Sequence, residues 1–305
     1  MPDSTVAWVF PGQGSQEAGM GRDLYEAYAV ARKLYDRADA ILGRPLSRLC
    51  FDGPAEELSK TTNSQPALYL TSLACLAVAR DVGALPDEPA FVAGHSLGEY
   101  TALGAAGALA FEDGLRLVEQ RGRLTQAAAD ATPGSMAAVL GLDEAAAAAV
   151  CADAGAELCN INSPGQLVIG GTKDAVAKAC ELAVARGARR AIPLDVGGAF
   201  HTSLMQPAVA GMTEAVAAAR IGAPRIPVVA NNTAEPTTDP AIIAAELTYQ
   251  LTHPVRWVQC VEYMAAHGVK TFVEIGPGRV LTGLIKRIAP DAQLRNINGA
   301  GSLGL

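Results

Sequence analysis

Short hydrophobic runs alternate along the chain with longer segments in which apolar residues recur at helical spacing. The runs at residues 6–10, 91–94, 226–230 and 270–275 show little alternation of polar and apolar positions. Such runs are typical of strands buried on both faces, and the Ala- and Leu-rich segments between them predict helices. We therefore expect an α/β fold with a parallel sheet covered by helices on both faces.

A second pattern occupies the middle of the chain. It predicts strand 136–140, helix 143–154, strands 157–161 and 166–170 joined by the turn NSPG, helix 173–186 and strand 189–195. This β-α-β-β-α-β order is that of a ferredoxin-like unit. We predict that a small subdomain of residues 131–196 is inserted into a large subdomain of residues 1–130 and 197–305. A cleft between the two would be the natural site.

Composition narrows the classes of protein. Half of the 305 residues are hydrophobic and the net charge is −7, without a basic cluster interleaved with aromatic residues, so nucleic-acid binding is not expected. The longest uncharged stretch, residues 61–79, has a polar first third and contains Pro66. About 14 apolar-rich residues remain, too few to span a bilayer, and a buried helix is predicted instead. The glycine-containing tail at 299–302 is expected to fray.

Cysteine and histidine usage gives no sign of a metal or a cofactor. The six cysteines form no C-x-x-C pair, and no histidine has metal-ligand spacing with another histidine or a cysteine. No signal peptide is recognisable at the start. A reducing cytoplasm is the simplest location.

The segment Gly94-His95-Ser96-Leu97-Gly98 fits the pattern G-x-S-x-G. It lies between the strand 91–94 and a helix predicted from Glu99 onward. A serine on such a tight turn has an exposed hydroxyl, and the helix N-terminus directs unpaired N–H groups at a developing oxyanion. The alternative is a glycine-rich turn in which the serine only caps the helix.

A serine nucleophile needs a base, and His201 is the best placed histidine. It follows the last strand of the small subdomain and the pair Gly197-Gly198, where the chain returns to the large subdomain beside the cleft. His95 adjoins Ser96, but neighbouring side chains on a sharp turn diverge. A buried structural or helix-capping role is the alternative for His201.

Two further residues have side chains or amides suited to acyl chemistry. Arg121 could hold a substrate carboxylate in a bidentate fork, although a surface ion pair with Glu119 or Asp113 is the alternative. The backbone N–H of Gln13, in a glycine-flanked loop, could form an oxyanion hole with that of Leu97. Ordinary turn chemistry is the alternative for Gln13.

Seven segments occur together in a characteristic order. They are FPGQGSQ, GHSLGEY, the arginine of QRGRLTQ, NINSPGQLVIGG, AFHTSLM, QLTHPVRW and EIGPGRVLTGLIKR. In these segments the chain resembles the malonyl-CoA:acyl carrier protein transacylases of bacterial fatty-acid synthesis and, more distantly, the acyltransferase domains of polyketide synthases. The resemblance extends from about residue 6 to residue 287. It implies an α/β-hydrolase-like core with a ferredoxin-like subdomain.

The resemblance also implies roles for the residues at the matching positions. Ser96 would accept the malonyl group as an ester, His201 would be its base, and Arg121 would bind the free malonyl carboxylate. The amides of Gln13 and Leu97 would form the oxyanion hole.

Two more positions complete the substrate-binding group that the resemblance implies. Gln250 matches a residue whose backbone carbonyl, in place of an aspartate, orients the histidine. The ring of Phe200 resembles that of malonyl-selective members, since it leaves little room for a 2-methyl branch. Ala199 departs from the family's usual proline and should loosen this loop.

The implied acceptor is the phosphopantetheine thiol of an acidic acyl carrier protein, and no cofactor beyond the substrate malonyl-CoA is expected. Arg189, Arg190, Lys286 and Arg287 could form a basic docking patch, or could simply be solvated. The resemblance implies a monomer, which is the usual state of that family. Fatty-acid synthesis and trans-acting polyketide synthesis both remain open as the pathway.

Two other classes of function stay open on the sequence. An esterase could use the same serine turn, but its acid usually lies well upstream of the histidine, whereas Asp195 precedes His201 by only six residues. The other is a non-catalytic carrier-binding subunit of a larger synthase, which would have no use for Ser96 or Arg121.

Overall fold

The structure is a computed structural model that describes residues 3–85 and 88–303. Its strands form a six-stranded and a four-stranded sheet. In chain order they are β1 Asp3–Phe10, β2 Pro89–Gly94, β3 Ser135–Leu140, β4 Glu157–Ser163, β5 Gln166–Gly171, β6 Arg190–Pro193, β7 Val228–Val229, β8 Pro236–Thr237, β9 Thr271–Ile275 and β10 Gln293–Ile297.

Helices cover both sheets. They are α1 Arg22–Ala27, α2 Ala29–Leu42, α3 Leu46–Asp52, α4 Ala55–Ser59, α5 Thr61–Asp81, α6 Leu97–Ala105, α7 Phe111–Ala131, α8 Glu144–Ala154, α9 Lys173–Ala185, α10 Gln206–Ala218, α11 Pro240–Tyr249, α12 Trp257–Ala266 and α13 Val280–Ile288. Short 3₁₀ turns span Ser203–Met205, Gln250–Thr252 and Ala300–Ser302. Within the described ranges, no helix combines the length and the apolar character needed to cross a membrane.

The large sheet has the order β10-β9-β1-β2-β7-β8 and is parallel except for the β7–β8 pair. Its central strand β1 is buried on both faces. Trp8 and Phe10 join one apolar core, whereas Ala7 and Val9 join the core on the other side of the sheet. This two-sided burial is why the strand has a continuous apolar sequence, and it confirms the predicted α/β class.

Three elements of the large sheet differ from the sequence prediction. The strand expected at 226–230 pairs only at Val228 and Val229, since Pro227 has no N–H to donate to a ladder. Strands β8 and β10, at the two edges of the sheet, were not predicted. The tail at 299–302 is not frayed: the Ala300 N–H donates to the Asp23 carboxylate at 2.6 Å and anchors it.

The small sheet has the order β4-β5-β3-β6 and is antiparallel throughout. With α8 and α9 it has the predicted β-α-β-β-α-β sequence of elements, although β6 is shorter than the predicted 189–195 strand. The chain turns away after Leu194, whose carbonyl accepts a hydrogen bond from the Val196 N–H at 3.1 Å. The subdomain boundaries at 131 and 196 stay a prediction.

Helix α5 contains the uncharged stretch at 61–79. Nearly all of its residues are buried, and it packs against α2, α6 and α7. A helix without a charged face is expected where every face meets protein. The predicted buried helix is confirmed, with Pro66 inside it.

Candidate active site

The turn between β2 and α6 holds Ser96 in a conformation that few non-glycine residues adopt. Its φ is 52° and its ψ is −107°, and α6 begins at the next residue, Leu97. A Cβ on Gly94 would lie 1.9 Å from the Gly98 backbone, and a Cβ on Gly98 would lie 2.1 Å from the Phe10 carbonyl oxygen, which explains why both positions around the serine are glycine. The Ser96 hydroxyl makes no capping hydrogen bond, so the helix-cap alternative is wrong.

His201 contacts the Ser96 hydroxyl directly. Its Nε2 lies 2.8 Å from Ser96 Oγ, and its Nδ1 lies 2.8 Å from the backbone carbonyl of Gln250. Because a carbonyl only accepts, Nδ1 must carry the proton, which leaves Nε2 free to accept the serine proton. His201 also has a positive φ of 61°, which no sequence pattern indicated.

The electrostatic surroundings keep His201 neutral. Burial and, to a lesser extent, the positive charge of Arg121 together lower the pKa of His201 from 6.5 to about 3. The hydrogen bond to the Gln250 carbonyl opposes these two effects. A neutral imidazole is the form that can act as a general base.

Arg121 extends from α7 into the same cluster and is only 3% exposed. Its Nη1 donates to Gln65 Oε1 at 2.8 Å, and its Nη2 donates to Ser96 Oγ at 3.1 Å and to Gln250 Oε1 at 3.0 Å. The predicted alternative, an ion pair with Glu119 or Asp113, is wrong, because those carboxylates pair with other arginines.

The guanidinium of Arg121 has neutral neighbours. Its partners are amides, a hydroxyl and the ring of Tyr100, whose centroid lies 5.3 Å from the Arg121 Cζ. No carboxylate of the described residues lies within ion-pair distance, and the buried Nε has no acceptor. A buried cation without a counterion is costly, so this site favours an anionic ligand.

A cleft of about 230 Å³ runs between the two sheets and exposes these groups. Ser96, His201 and Arg121 line it from the large subdomain. The small subdomain contributes β-strand residues and the connection after β6, namely Met136, Asn160, Asn162, Gln166, Val168, Leu194 and Val196. Phe200, another predicted residue, also lines the cleft, next to the base.

Gln13 and Leu97 occupy the positions expected of backbone donors. Gln13 lines the cleft, and its side chain is held by the Ser64 hydroxyl, to which Nε2 donates at 3.1 Å. Leu97 is the first residue of α6, where backbone N–H groups have no helical partner. Within the described residues, neither backbone N–H has a protein acceptor. The oxyanion hole stays a prediction.

Gln250 lies behind the cleft and does not line it. It is fully buried, and its side chain accepts from Arg121 and donates to the Ser96 carbonyl at 3.1 Å. Its backbone carbonyl accepts from His201. The prediction that Gln250 belongs with the substrate-binding residues is therefore wrong. Gln250 contacts Arg121 and His201, which line the cleft, and does not line it itself.

Asn231 is a polar neighbour of the site that the sequence analysis missed. Its side chain contacts the backbone on both sides of His95, at Gly94 and Ser96. The available signal was its position: a polar residue directly after a strand of a parallel sheet lies at the edge where such sheets bind ligands.

The four residues of the predicted docking patch lie on the surface, near one end of the small sheet. Arg287 donates to Gln166 Oε1 at 2.6 Å, and Gln166 lines the cleft. Gln166 and Arg190 both pair with Leu140, on opposite sides of β3. Two strand spacings, about 10 Å, therefore separate their backbones. Arg189 and Lys286 are exposed beside them.

Asp195, the acid considered for an esterase, is exposed and makes no hydrogen bond or ion pair with His201. The second nitrogen of His201 is bonded to a carbonyl instead. The arrangement therefore differs from a serine-histidine-acid triad in its third member.

Comparison with known proteins agrees with this geometry. Residues 7–303 match the acyl transferase domain family. The chain is 47% identical over 290 residues to the malonyl CoA-acyl carrier protein transacylase of Bacillus subtilis. The aligned region covers 93% of this chain and 90% of that protein.

Solved structures give the same result. An acyl carrier protein S-malonyltransferase from Vibrio cholerae superposes with a TM-score of 0.95 at 46% identity and 98% coverage of both chains. A malonyl-transacylase in complex with its type II PKS acyl-carrier protein superposes with a TM-score of 0.93 at 41% identity, over 98% of this chain and 97% of that one. The resemblance seen in the sequence is confirmed: the chain belongs to the acyl transferase family and, within it, to the malonyl CoA-acyl carrier protein transacylases.

Proposed function

We propose that this protein transfers a malonyl group from coenzyme A to the phosphopantetheine thiol of an acyl carrier protein, with a malonyl ester of Ser96 as the intermediate. The single observation that supports it most is the buried Arg121 guanidinium, which contacts the nucleophile Ser96 at 3.1 Å and has an unpaired Nε. The free carboxylate of a malonyl thioester is the counterion that this position lacks.

The first half-reaction uses the Ser96–His201 contact. Ser96 Oγ accepts a hydrogen bond from Arg121 and donates its proton towards His201 Nε2. As Oγ attacks the thioester carbonyl, Nε2 takes the proton, and the Gln250 carbonyl stabilises the imidazolium through Nδ1. The backbone N–H groups of Gln13 and Leu97 would bind the oxyanion. The C–S bond then breaks, and coenzyme A leaves with the proton from His201.

The second half-reaction repeats these steps with the carrier thiol. The thiol gives its proton to His201 and attacks the ester carbonyl, and the ester C–O bond breaks as Ser96 Oγ regains a proton from His201. The same residues serve both directions, so the kinetics would be ping-pong.

Selection for malonyl over neutral acyl groups would come from Arg121. An acetyl or propionyl group would leave the buried guanidinium without a counterion, and this unfavourable state is relieved only by a carboxylate. Phe200 would limit the space beside the acyl group, which disfavours a 2-methyl branch.

The carrier would dock on the basic patch formed by Arg189, Arg190, Lys286 and Arg287. Arg287 lies against Gln166 at the edge of the cleft, so an acidic partner bound there could direct its phosphopantetheine arm towards Ser96. We extend the proposal to a monomer in the reducing cytoplasm. The six cysteines are unpaired, and five of them are buried.

The deciding experiment measures the intact mass of the protein after brief, separate incubations with malonyl-CoA, acetyl-CoA and methylmalonyl-CoA. We expect a malonyl-sized adduct that is absent in Ser96→Ala and disappears when a carrier protein is added, with equal appearance of malonyl-carrier. Little adduct is expected from the other two thioesters.

Other results would contradict the proposal. An adduct that hydrolyses at the same rate with and without carrier would indicate an esterase. Absence of any adduct in a folded protein that still binds a carrier would indicate a non-catalytic subunit. Either pathway, fatty-acid or polyketide synthesis, would give the expected result, and the identity of the accepted carrier would distinguish them.

A further inference from the structure

The side-chain amide of Asn231 bridges the two ends of the nucleophile turn. Asn231 follows β7 and is fully buried. Its Oδ1 accepts from the Ser96 N–H at 2.7 Å, and its Nδ2 donates to the Gly94 carbonyl at 2.7 Å. One side chain therefore provides an acceptor and a donor for backbone groups at the two ends of the turn.

We infer that Asn231 is a positioning residue for the transfer reaction, which holds Ser96 in its strained conformation with the hydroxyl facing His201. A non-glycine residue at φ 52° is unfavourable by itself and persists only when its surroundings fix it. The orientation of the Ser96 peptide N–H is part of that conformation, and Asn231 provides its acceptor. The inference rests on the proposed role of Ser96.

Asn231 is itself held by a segment that is anchored to the small sheet. The Arg256 N–H donates to the Asn231 carbonyl at 2.9 Å. The preceding residue, Val255, exchanges two backbone hydrogen bonds of 2.9 Å with the region of β4, from Ile161 and to Cys159. The amide is therefore positioned by both sheets.

The bridge requires one donor and one acceptor on the same planar group. An amide offers both, and a protonated carboxyl of the same shape also offers both. An ionised carboxylate would only accept, and its second oxygen would face the Gly94 carbonyl. Full burial raises the pKa of a carboxyl at this position above its ordinary value. The variant Asn231→Asp should therefore support the turn at acidic pH, where its new carboxyl is neutral, and disturb it at alkaline pH, where the carboxyl is ionised.

The titratable groups packed around this position would not obscure that test. Its titratable neighbours are His95 in the turn itself, Glu99 of α6, Glu246 of α11 and Cys260 of α12. Burial lowers the pKa of His95 and raises the pKa of the other three. Arg121 and His201 lie on the far side of Gln250. All of these groups are present in the unsubstituted protein, whose own profile is the reference.

The experiment measures the single-turnover rate of Ser96 acylation by malonyl-CoA from about pH 5 to about pH 9, by rapid quench and intact mass. Relative to the unsubstituted protein, Asn231→Asp should be within about threefold at the acidic end and at least about tenfold slower at the alkaline end. The malonyl-CoA concentration for half-maximal rate should change little, because Asn231 does not line the cleft.

Asn231→Ala, which removes the bridge at every pH, should be slow throughout. Asn232→Ala is the matched control, since the Asn232 side chain makes no hydrogen bond to the turn, and it should acylate at the normal rate. An Asn231→Asp profile that coincides with that of the unsubstituted protein from the acidic to the alkaline end would overturn the inference, even if Asn231→Ala does not fold. If the unsubstituted protein forms no Ser96 ester, the proposed function fails instead.

Discussion

At the scale of single residues, burial separates side chains that look equivalent in the sequence. Arg121 and Arg123 lie two positions apart on α7. Arg123 is 62% exposed and pairs with Glu119, as many surface arginines do. Arg121 lies on the opposite side of the helix, where it meets Ser96 and Gln250. Only the second environment can give an arginine a role in substrate selection.

Replacement of Arg121 by alanine should remove this selectivity. We expect kcat/KM for malonyl-CoA to fall by about a hundredfold, as for the loss of a buried hydrogen bond to a charged group. The value for acetyl-CoA should change much less, since acetyl has no carboxylate. Steady-state transfer to a carrier protein measures both constants.

Arg123→Ala is the control on the same helix, and it should leave both constants within about twofold, because an exposed ion pair contributes little. If Arg121→Ala reduced transfer of both acyl groups equally, Arg121 would support the fold of the site without selecting the substrate.

The lowered pKa of His201 predicts the pH dependence of acylation. An ordinary histidine is protonated as the pH falls through 6.5 and stops acting as a base, whereas His201 stays neutral down to about pH 3. We expect kcat/KM for malonyl-CoA to be level from about pH 8 to about pH 5. Arg121→Ala removes the positive charge that helps to lower the pKa of His201, so the acid limb of the profile should move to higher pH. A decline centred at pH 6.5 in the unsubstituted protein would contradict this assignment.

At the scale of elements, the serine turn depends on the close approach of α6 to the end of β1. A Cβ on Gly98 would lie 2.1 Å from the Phe10 carbonyl oxygen, which is a backbone atom and cannot rotate away. The short separation lets the first turn of α6 lie at the carboxyl edge of the sheet. There its free N–H groups can face the cleft.

Gly98→Ala should therefore lower the free energy of unfolding by about 3 kcal/mol, because either α6 or β1 must shift. Urea denaturation followed by circular dichroism would measure it. Gly283→Ala is the contrasting control: Gly283 lies within α13 with open space around it, and the change should stabilise by about 0.5–1 kcal/mol. Equal effects of the two variants would refute the packing argument.

At the scale of the whole molecule, the cleft exists because two sheets of different topology meet. The Asn160–Val255 bridge joins the small sheet to the segment before α12, and α13 lies beside β4. Basic residues from α13 and from β6 thereby reach the same side of the molecule. The net charge of −7 hides this local cluster.

A double charge reversal, Arg190→Glu with Arg287→Glu, tests the docking patch. The KM for an acidic carrier protein should rise about tenfold or more at low salt, and the difference should shrink as salt screens the charges. The KM for malonyl-CoA should change less. Lys270→Glu is the control. Lys270 precedes β9 and lies at the amino ends of the parallel strands, whereas the Ser96 turn lies at their carboxyl ends. Equal KM values for the carrier in all three proteins would refute the patch.

The sequence by itself determined the fold class and the order of elements in the small sheet, and it predicted Ser96, His201 and Arg121, which the structure brings together. Strand β1 is buried on both faces, so its pattern is continuous and unambiguous, and the G-x-S-x-G turn is a local feature of five residues. The edge strand β10 and the two-residue β7 have weaker patterns, because an edge or a short ladder constrains few side chains. Strand β10 was therefore not predicted, and β7 was predicted to be longer than it is.

Tertiary structure alone decided how the site residues meet. Ser96 and His201 are 105 positions apart in the sequence, and Gln250 is another 49 beyond. No local pattern could show that Arg121 lacks a counterion, that Gln250 lies behind the cleft, or that Asn231 bridges the serine turn. These properties arise from packing between distant segments, since burial and hydrogen-bond partners belong to the folded chain.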